Sequence, residues 1–76
     1  MQINYIHAGK CKTIAQKLKE KANDEKVSFE ALTMFKAAHY FEIKATKGGG
    51  TIADIFNGSN LSVERIGHIT QVVSTF

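Results

Sequence analysis

The side chains in this chain that can move a proton, hold a metal or attack a bond are few. They are three histidines, one cysteine and a scatter of carboxylates. His7, His39 and His68 lie about thirty residues apart, with no His-x-His or His-Glu-x-x-His pair. Zinc sites normally show at least one local pair of ligands. Each histidine is therefore expected as a polar surface or edge residue, with no metal and no cofactor. An acid–base nuclease would use the same inventory differently. A His or Glu base and a cation that stabilises the phosphorane cleave RNA. His39 or His68, with Glu42, Glu64 and Arg65, supplies those residue types. On a strand, however, Glu64 and Arg65 would face opposite sides. No spacing forces the group together, so a small ribonuclease toxin ranks last of three readings and a non-enzyme is expected. Cys11 sits between Lys10 and Lys12. A helix N-terminus and flanking cations would lower its thiol pKa. It has no Cys-x-x-Cys companion and falls on an apolar helical face, so a buried structural thiol is the better reading.

Charge is the stronger signal. Nine lysines and one arginine face seven acidic residues, for a net charge of +3 over 76 residues. The excess is concentrated early. Lys10 to Lys26 carries six lysines against Glu20, Asp24 and Glu25, whereas Gly48 to Phe76 carries Arg65 against Asp54 and Glu64. Lys10, Lys12, Lys17, Lys19 and Lys21 thus form a candidate docking face for nucleic acid or an acidic protein. The plainer alternative is a solvated helix face. Arginine is the better residue for bidentate contacts with guanine edges and phosphate. Its scarcity ranks a protein or nucleoprotein target ahead of bare DNA or RNA.

These residues need elements to position them. Gln2 to His7 alternates as a short strand, and Ala8-Gly9 breaks it. Cys11, Ile14, Ala15, Leu18 and Ala22 recur at helical spacing, which predicts an amphipathic helix over Lys10 to Ala22. Ser28 reads as an N-cap with Glu30 in the first turn, opening a second helix through Tyr40. Phe41, Ile43 and Ala45 alternate with Glu42, Lys44 and Thr46 as a half-buried strand. Gly48-Gly49-Gly50 follows as a flexible turn, Thr51 to Phe56 as the returning strand, and Asn57-Gly58-Ser59-Asn60 as a second turn. Leu61 to Phe76 carries two patterns. Val63, Ile66, Thr70 and Val73 fit a helix capped by Ser62. The many β-branched residues and Gly67 favour a bent strand, either central in the sheet or an edge that pairs with another copy or a target. Core packing accounts for most of the phenylalanines, leaving Tyr5 and Tyr40 as the exposed aromatics. The expected fold is α+β, in the order β-α-α-β-β-β, with two helices on one face of a small, mostly antiparallel sheet.

Two consecutive helices followed by a hairpin with the basic tip Lys44-Ala45-Thr46-Lys47-Gly48-Gly49-Gly50 resemble part of a winged-helix DNA-binding domain. The resemblance spans roughly residues 12 to 56 and is one of topology. It implies that the second helix enters the major groove while Lys44, Lys47 and Gly48 to Gly50 touch the minor groove or backbone.

Length and composition bound the rest. The chain allows one domain over residues 1–76. It has no apolar run long enough to span a membrane and no basic, apolar leader at Met1 to Ala8, so a cytoplasmic location is expected. A domain of this size buries only about 60 % of its unfolded surface and has no disulfide. A homodimer or a bound target is therefore expected to share its surface. Many Lys, Ile, Asn and Phe residues suit an AT-rich genome, and short chains of this kind are common in phages and mobile elements. The leading expectation is a small non-catalytic inhibitor or accessory regulator that docks through the Lys-rich face. The winged-helix-like DNA-binding regulator comes second.

Overall fold

The computed structural model describes residues 5–76. Two long antiparallel helices dominate it, α1 (Ala8–Asp24) and α2 (Ser28–Thr46). Ahead of α1 lies β1 (Ile6–His7), and after α2 come β2 (Gly49–Gly50), α3 (Ile52–Ile55) and α4 (Val63–Ser74). α1 forms as its spacing dictates. Cys11, Ile14, Ala15, Leu18 and Ala22 are all buried along one stripe. The stripe packs against Met34, Ala37, Ala38 and Phe41 of α2, each fully buried. The chain turns between the helices at Glu25, whose N–H donates to the Ala22 carbonyl at 3.1 Å. Val27 is the N-cap of α2, so Ser28 is its first helical residue and makes no side-chain cap.

α2 runs six residues past the expected end at Tyr40, so the strand expected over 41–46 is instead helix. The reason is visible in the residues. Phe41 lies seven after Met34 and four after Ala37, on the same helical stripe. Six alternating residues are compatible with both periods, and burial of Phe41 against α1 and α3 decides for the helix. The ring of Phe56 meets that of Phe41 edge-on at 5.7 Å, a geometry that adds to the area term.

The segment expected as the returning strand, 51–56, is α3. Thr51 caps it: its hydroxyl accepts from the Asp54 N–H, and the Asp54 carboxylate accepts from the Thr51 N–H, both at 3.1 Å. This capping box fixes the first turn and turns Ile55 and Phe56 into the core. The expected turn at 57–60 is present, with Gly58 at φ +77° and Asn60 at φ +63°. The tail follows the helical alternative. Ser62 accepts from the Arg65 N–H at 3.2 Å, and α4 buries Ile69 and Val73. Burial of one face, with a cap at its start, outweighs the weak strand propensity of its β-branched residues. Thr70 donates to the Ile66 carbonyl at 2.7 Å, so its hydroxyl is satisfied within the helix.

The sheet is therefore much smaller than expected. Among the described residues it has two strands of two residues each, paired antiparallel with Ile6 opposite Gly50 and His7 opposite Gly49. Of the strand expected over Gln2 to His7, Ile6 and His7 pair. Its first three residues lie outside those described. The coarse α+β character stands, but no three-stranded run follows the helices. The winged-helix resemblance loses its hairpin with it, because both arms of that hairpin are helical.

The glycine run closes this small sheet. Gly48 and Gly49 have φ of +93° and +92°, and a Cβ on Gly49 would lie 2.1 Å from the Ile6 carbonyl oxygen. Gly67 lies in mid-helix, and a methyl group added there would meet nothing within 4 Å. Two Gly→Ala substitutions should thus move stability in opposite directions. Gly49→Ala should cost about 3 kcal/mol through strain and backbone collision. Gly67→Ala should gain about 0.5–1 kcal/mol from helix propensity alone. Urea unfolding of the two variants beside the parent protein measures both.

Candidate functional site

The lysines of α1 share a helix but do not form one continuous face. At about 100° per residue, Lys10, Lys17 and Lys21 fall on one edge of the buried stripe and Lys12 and Lys19 on the other. Contacts on each edge agree. Lys19 Nζ reaches Glu42 Oε2 on α2 at 2.9 Å. On the opposite edge, Lys17 Nζ stands 5.6 Å from the centre of the Phe76 ring. Lys19 is thereby spent in a solvent-exposed helix–helix pair, worth at most about 1 kcal/mol. Lys10, Lys12, Lys17 and Lys21 are exposed, and among the described residues none of them has a carboxylate within 4.0 Å.

The end of α1 nearest the sheet gathers more positive charge. His7 is the N-cap of α1 without a side-chain cap, and the first turn holds no acidic residue. The N-terminal half of the helix dipole is thus uncompensated by carboxylates. The pairing of His7 with Gly49 brings the C-terminal end of α2 alongside. Lys47, exposed at the C-cap of α2, therefore lies at the same pole as Lys10 and Lys12. Lys44 is half-buried beneath them. Its ammonium helps hold the Asp54 carboxyl below the usual range, after the larger effect of the hydrogen bonds from Thr51. Gly48, Gly49 and Gly50 are not the mobile tip expected of them. The Gly48 carbonyl accepts from the Tyr5 hydroxyl at 2.7 Å, Gly49 and Gly50 pair with β1, and Gly50 is buried. Their role is to let β1 approach, which positions the lysines around them.

The nuclease inventory is dispersed, with one exception. Glu42 is held by Lys19. His39 stands beside the Tyr40 ring at 5.8 Å, and Glu64 is exposed in the first turn of α4. Arg65 and His68 do converge, but on Glu30 of α2. Arg65 Nη1 lies 2.8 Å from Glu30 Oε1, and His68 Nε2 lies 3.8 Å from Glu30 Oε2. The Arg65–Glu30 hydrogen bond, with His68 close to the other carboxylate oxygen, works as a clasp between α2 and α4. Arg65 and His68 are one helical turn apart, a spacing visible only once the tail is read as helix. Nothing in the sequence pointed to Glu30. Among the described residues, no three His, Cys, Asp or Glu side chains gather as a metal site, and no helix is long and apolar enough to cross a membrane.

A surface whose phenylalanines were expected in the core is the second feature of note. Phe29, Leu32 and Phe35 are exposed on the first half of α2, and so is Val27 at its N-cap. Beside them a groove of about 300 Å³ runs between α2 and the start of α4. Arg65 stacks on Phe29, 3.9 Å from the ring centre, which fixes one wall of the groove.

The chain matches no protein-family model, no curated protein and no solved structure.

Cys11 takes the structural role expected of it. Its side chain is fully buried, and its thiol donates to the Ile6 carbonyl at 3.6 Å. Burial pushes the thiol pKa up, and Lys44 offsets only part of that. The native protein should therefore react with a thiol reagent such as dithionitrobenzoate at least ~100-fold more slowly than the urea-unfolded chain, with the rate following the opening of the fold. Equal rates in the two states would contradict the burial.

Proposed function

We propose that this chain is a small non-catalytic binding protein that docks on an acidic surface of a protein or nucleoprotein target, as an inhibitor or accessory regulator. The observation that carries this reading is the state of the α1 lysines. Lys10, Lys12, Lys17 and Lys21 are exposed with no carboxylate within 4.0 Å among the described residues. Lys47 extends the same charge to the pole where α1 begins. Like charges left uncompensated on one element repel one another modestly, and an acidic partner relieves that cost while steering association. Lysine rather than arginine suits such a role, because a flexible point charge tolerates varied acidic geometry.

The docking surface has two parts, on opposite edges of the α1 stripe. The Lys10, Lys17 and Lys21 edge lies on the side of Phe76, and the Lys12 edge joins Lys47 at the pole. Charge reversal separates them. The triple variant Lys10→Glu, Lys17→Glu, Lys21→Glu should lose the partners that the parent protein retains from a lysate at low salt, while its circular dichroism spectrum stays the same. Exposed lysines contribute little to stability, so the fold should tolerate the change. Retention of the same partners by the triple variant would remove the Lys10, Lys17 and Lys21 edge of α1 from the interface. A parallel titration with mixed-sequence duplex and single-stranded nucleic acid across salt distinguishes the target class. A steep fall of affinity with salt marks phosphate neutralisation by several lysines, and no binding at low salt leaves a protein surface.

A further inference from the structure

The exposed apolar face of α2 has a symmetry of its own. Phe29, Leu32 and Phe35 recur every three residues and so form one ridge on the helix surface. The ridge is the same read in either direction: Phe, Leu, Phe, with Leu32 at its centre. Their exposures are 55 %, 58 % and 41 %, and Val27 just before the helix is 56 % exposed. We infer that two copies of this chain pair through this ridge, about a two-fold axis at Leu32.

The occupant follows from three properties of the patch. First, a two-fold axis through Leu32 sets Phe29 opposite the partner's Phe35, and Phe35 opposite the partner's Phe29. One patch then complements itself, as an isologous interface requires. Phe29 and Leu32 also form a wall of the 300 Å³ groove, so the partner's Phe35 has a recess beside Phe29 to enter, and the exchange is reciprocal. Second, the charges permit it. Lys36, on the groove, lies opposite the partner's Ser28. The two copies of Lys36 are separated by eight residues of helix, about 12 Å along the axis, beyond the ~8–10 Å range of screened repulsion. The carboxylate nearest the groove, Glu30, is already neutralised by Arg65. Third, the area suffices. The four apolar residues expose on the order of 400 Å² between them. A standard interface takes ~800 Å² from each partner, a little over half of it apolar. Asn60, Ser62 and the Lys36 stem, which border the groove and are exposed, add polar area to it. The pairing face is separate from the α1 lysines, so the inference does not depend on the docking role assigned to them.

Sedimentation equilibrium of the whole chain up to ~200 µM tests the pairing, with a dimer of micromolar dissociation constant expected. Leu32→Asp places two carboxylates at the axis and should weaken the dimer at least ~30-fold. Its helical circular dichroism should not change, because Leu32 is exposed in the single chain. Leu32→Cys reads the axis directly. Under mild oxidation this variant should form a covalent dimer, with buried Cys11 taking no part, whereas Lys12→Cys should not. A parent protein that stays monomeric to ~200 µM would overturn the inference. So would a dimer that Leu32→Asp leaves intact. A dimer that Leu32→Asp dissociates but Leu32→Cys cannot cross-link would overturn the two-fold placement.

Discussion

α1 and α2 meet across small side chains. Ala15, Ala37 and Ala38 are all buried in the seam, flanked by Ile14, Leu18, Met34 and Phe41. Alanine at these positions lets two helix backbones come close, and the larger residues around it fill the remaining space at native density. Each helix is too short and too lysine-rich or too apolar to be stable alone in water. The seam is what makes them helices, and the other elements are arranged around it. β1 and β2 join its open end. α3 and α4 cover the side on which Phe41 would otherwise meet solvent, through Ile55, Phe56, Ile69 and Val73.

The same seam explains how charge is laid out. With α1 turning its apolar stripe to α2, its lysines are pushed to the two flanks. One flank is partly consumed by the contact of Lys19 with Glu42, and the rest faces water. α2 balances its own surface differently. Its second half is wrapped by neighbours, but its first half extends beyond the cover of α3 and meets α4 through Glu30 and the stacking of Arg65 on Phe29. Phe29, Leu32 and Phe35 are left outside for that geometric reason. The molecule therefore presents two unlike surfaces, a basic one on α1 and an apolar one on α2.

Much of α1 was legible in the residues, because Cys11, Ile14, Ala15, Leu18 and Ala22 offer a single period and each is buried. The later chain was harder because its short runs carry two periods at once. Phe41, Ile43 and Ala45 alternate, yet Phe41 and Ala45 also lie one helical turn apart, and only the tertiary partner decides. The start of α3 had a readable signal in Thr51-x-x-Asp54, which strand-like Ile52 and Ile55 obscured. In the tail the cap at Ser62 was the informative residue, and β-branched composition was not. The candidate site was legible as charge but not as geometry. Lysine positions showed where positive charge would lie, while the division into two edges, the tie of Lys19 to Glu42 and the meeting of Arg65 and His68 with Glu30 depend on how the helices pack. The assignment of Phe29 and Phe35 to the core failed because periodicity shows which residues share a face and not whether another element covers it.

The pairing of Ile6 and His7 with Gly50 and Gly49 also has a kinetic meaning. It joins positions more than forty residues apart, whereas the α1–α2 seam is built from neighbours along the chain. Closing so long a loop from an unfolded coil carries a substantial entropic penalty. Once the helical hairpin has formed, the two strands already sit side by side at its open end, and little freedom is left to lose. The order of events is thus built into the topology: seam first, sheet last. Contacts made after the transition state govern how fast a protein unfolds more than how fast it folds. The small glycine-lined sheet then acts as a latch on the lifetime of the folded state, and leaves the rate of reaching that state to the helices.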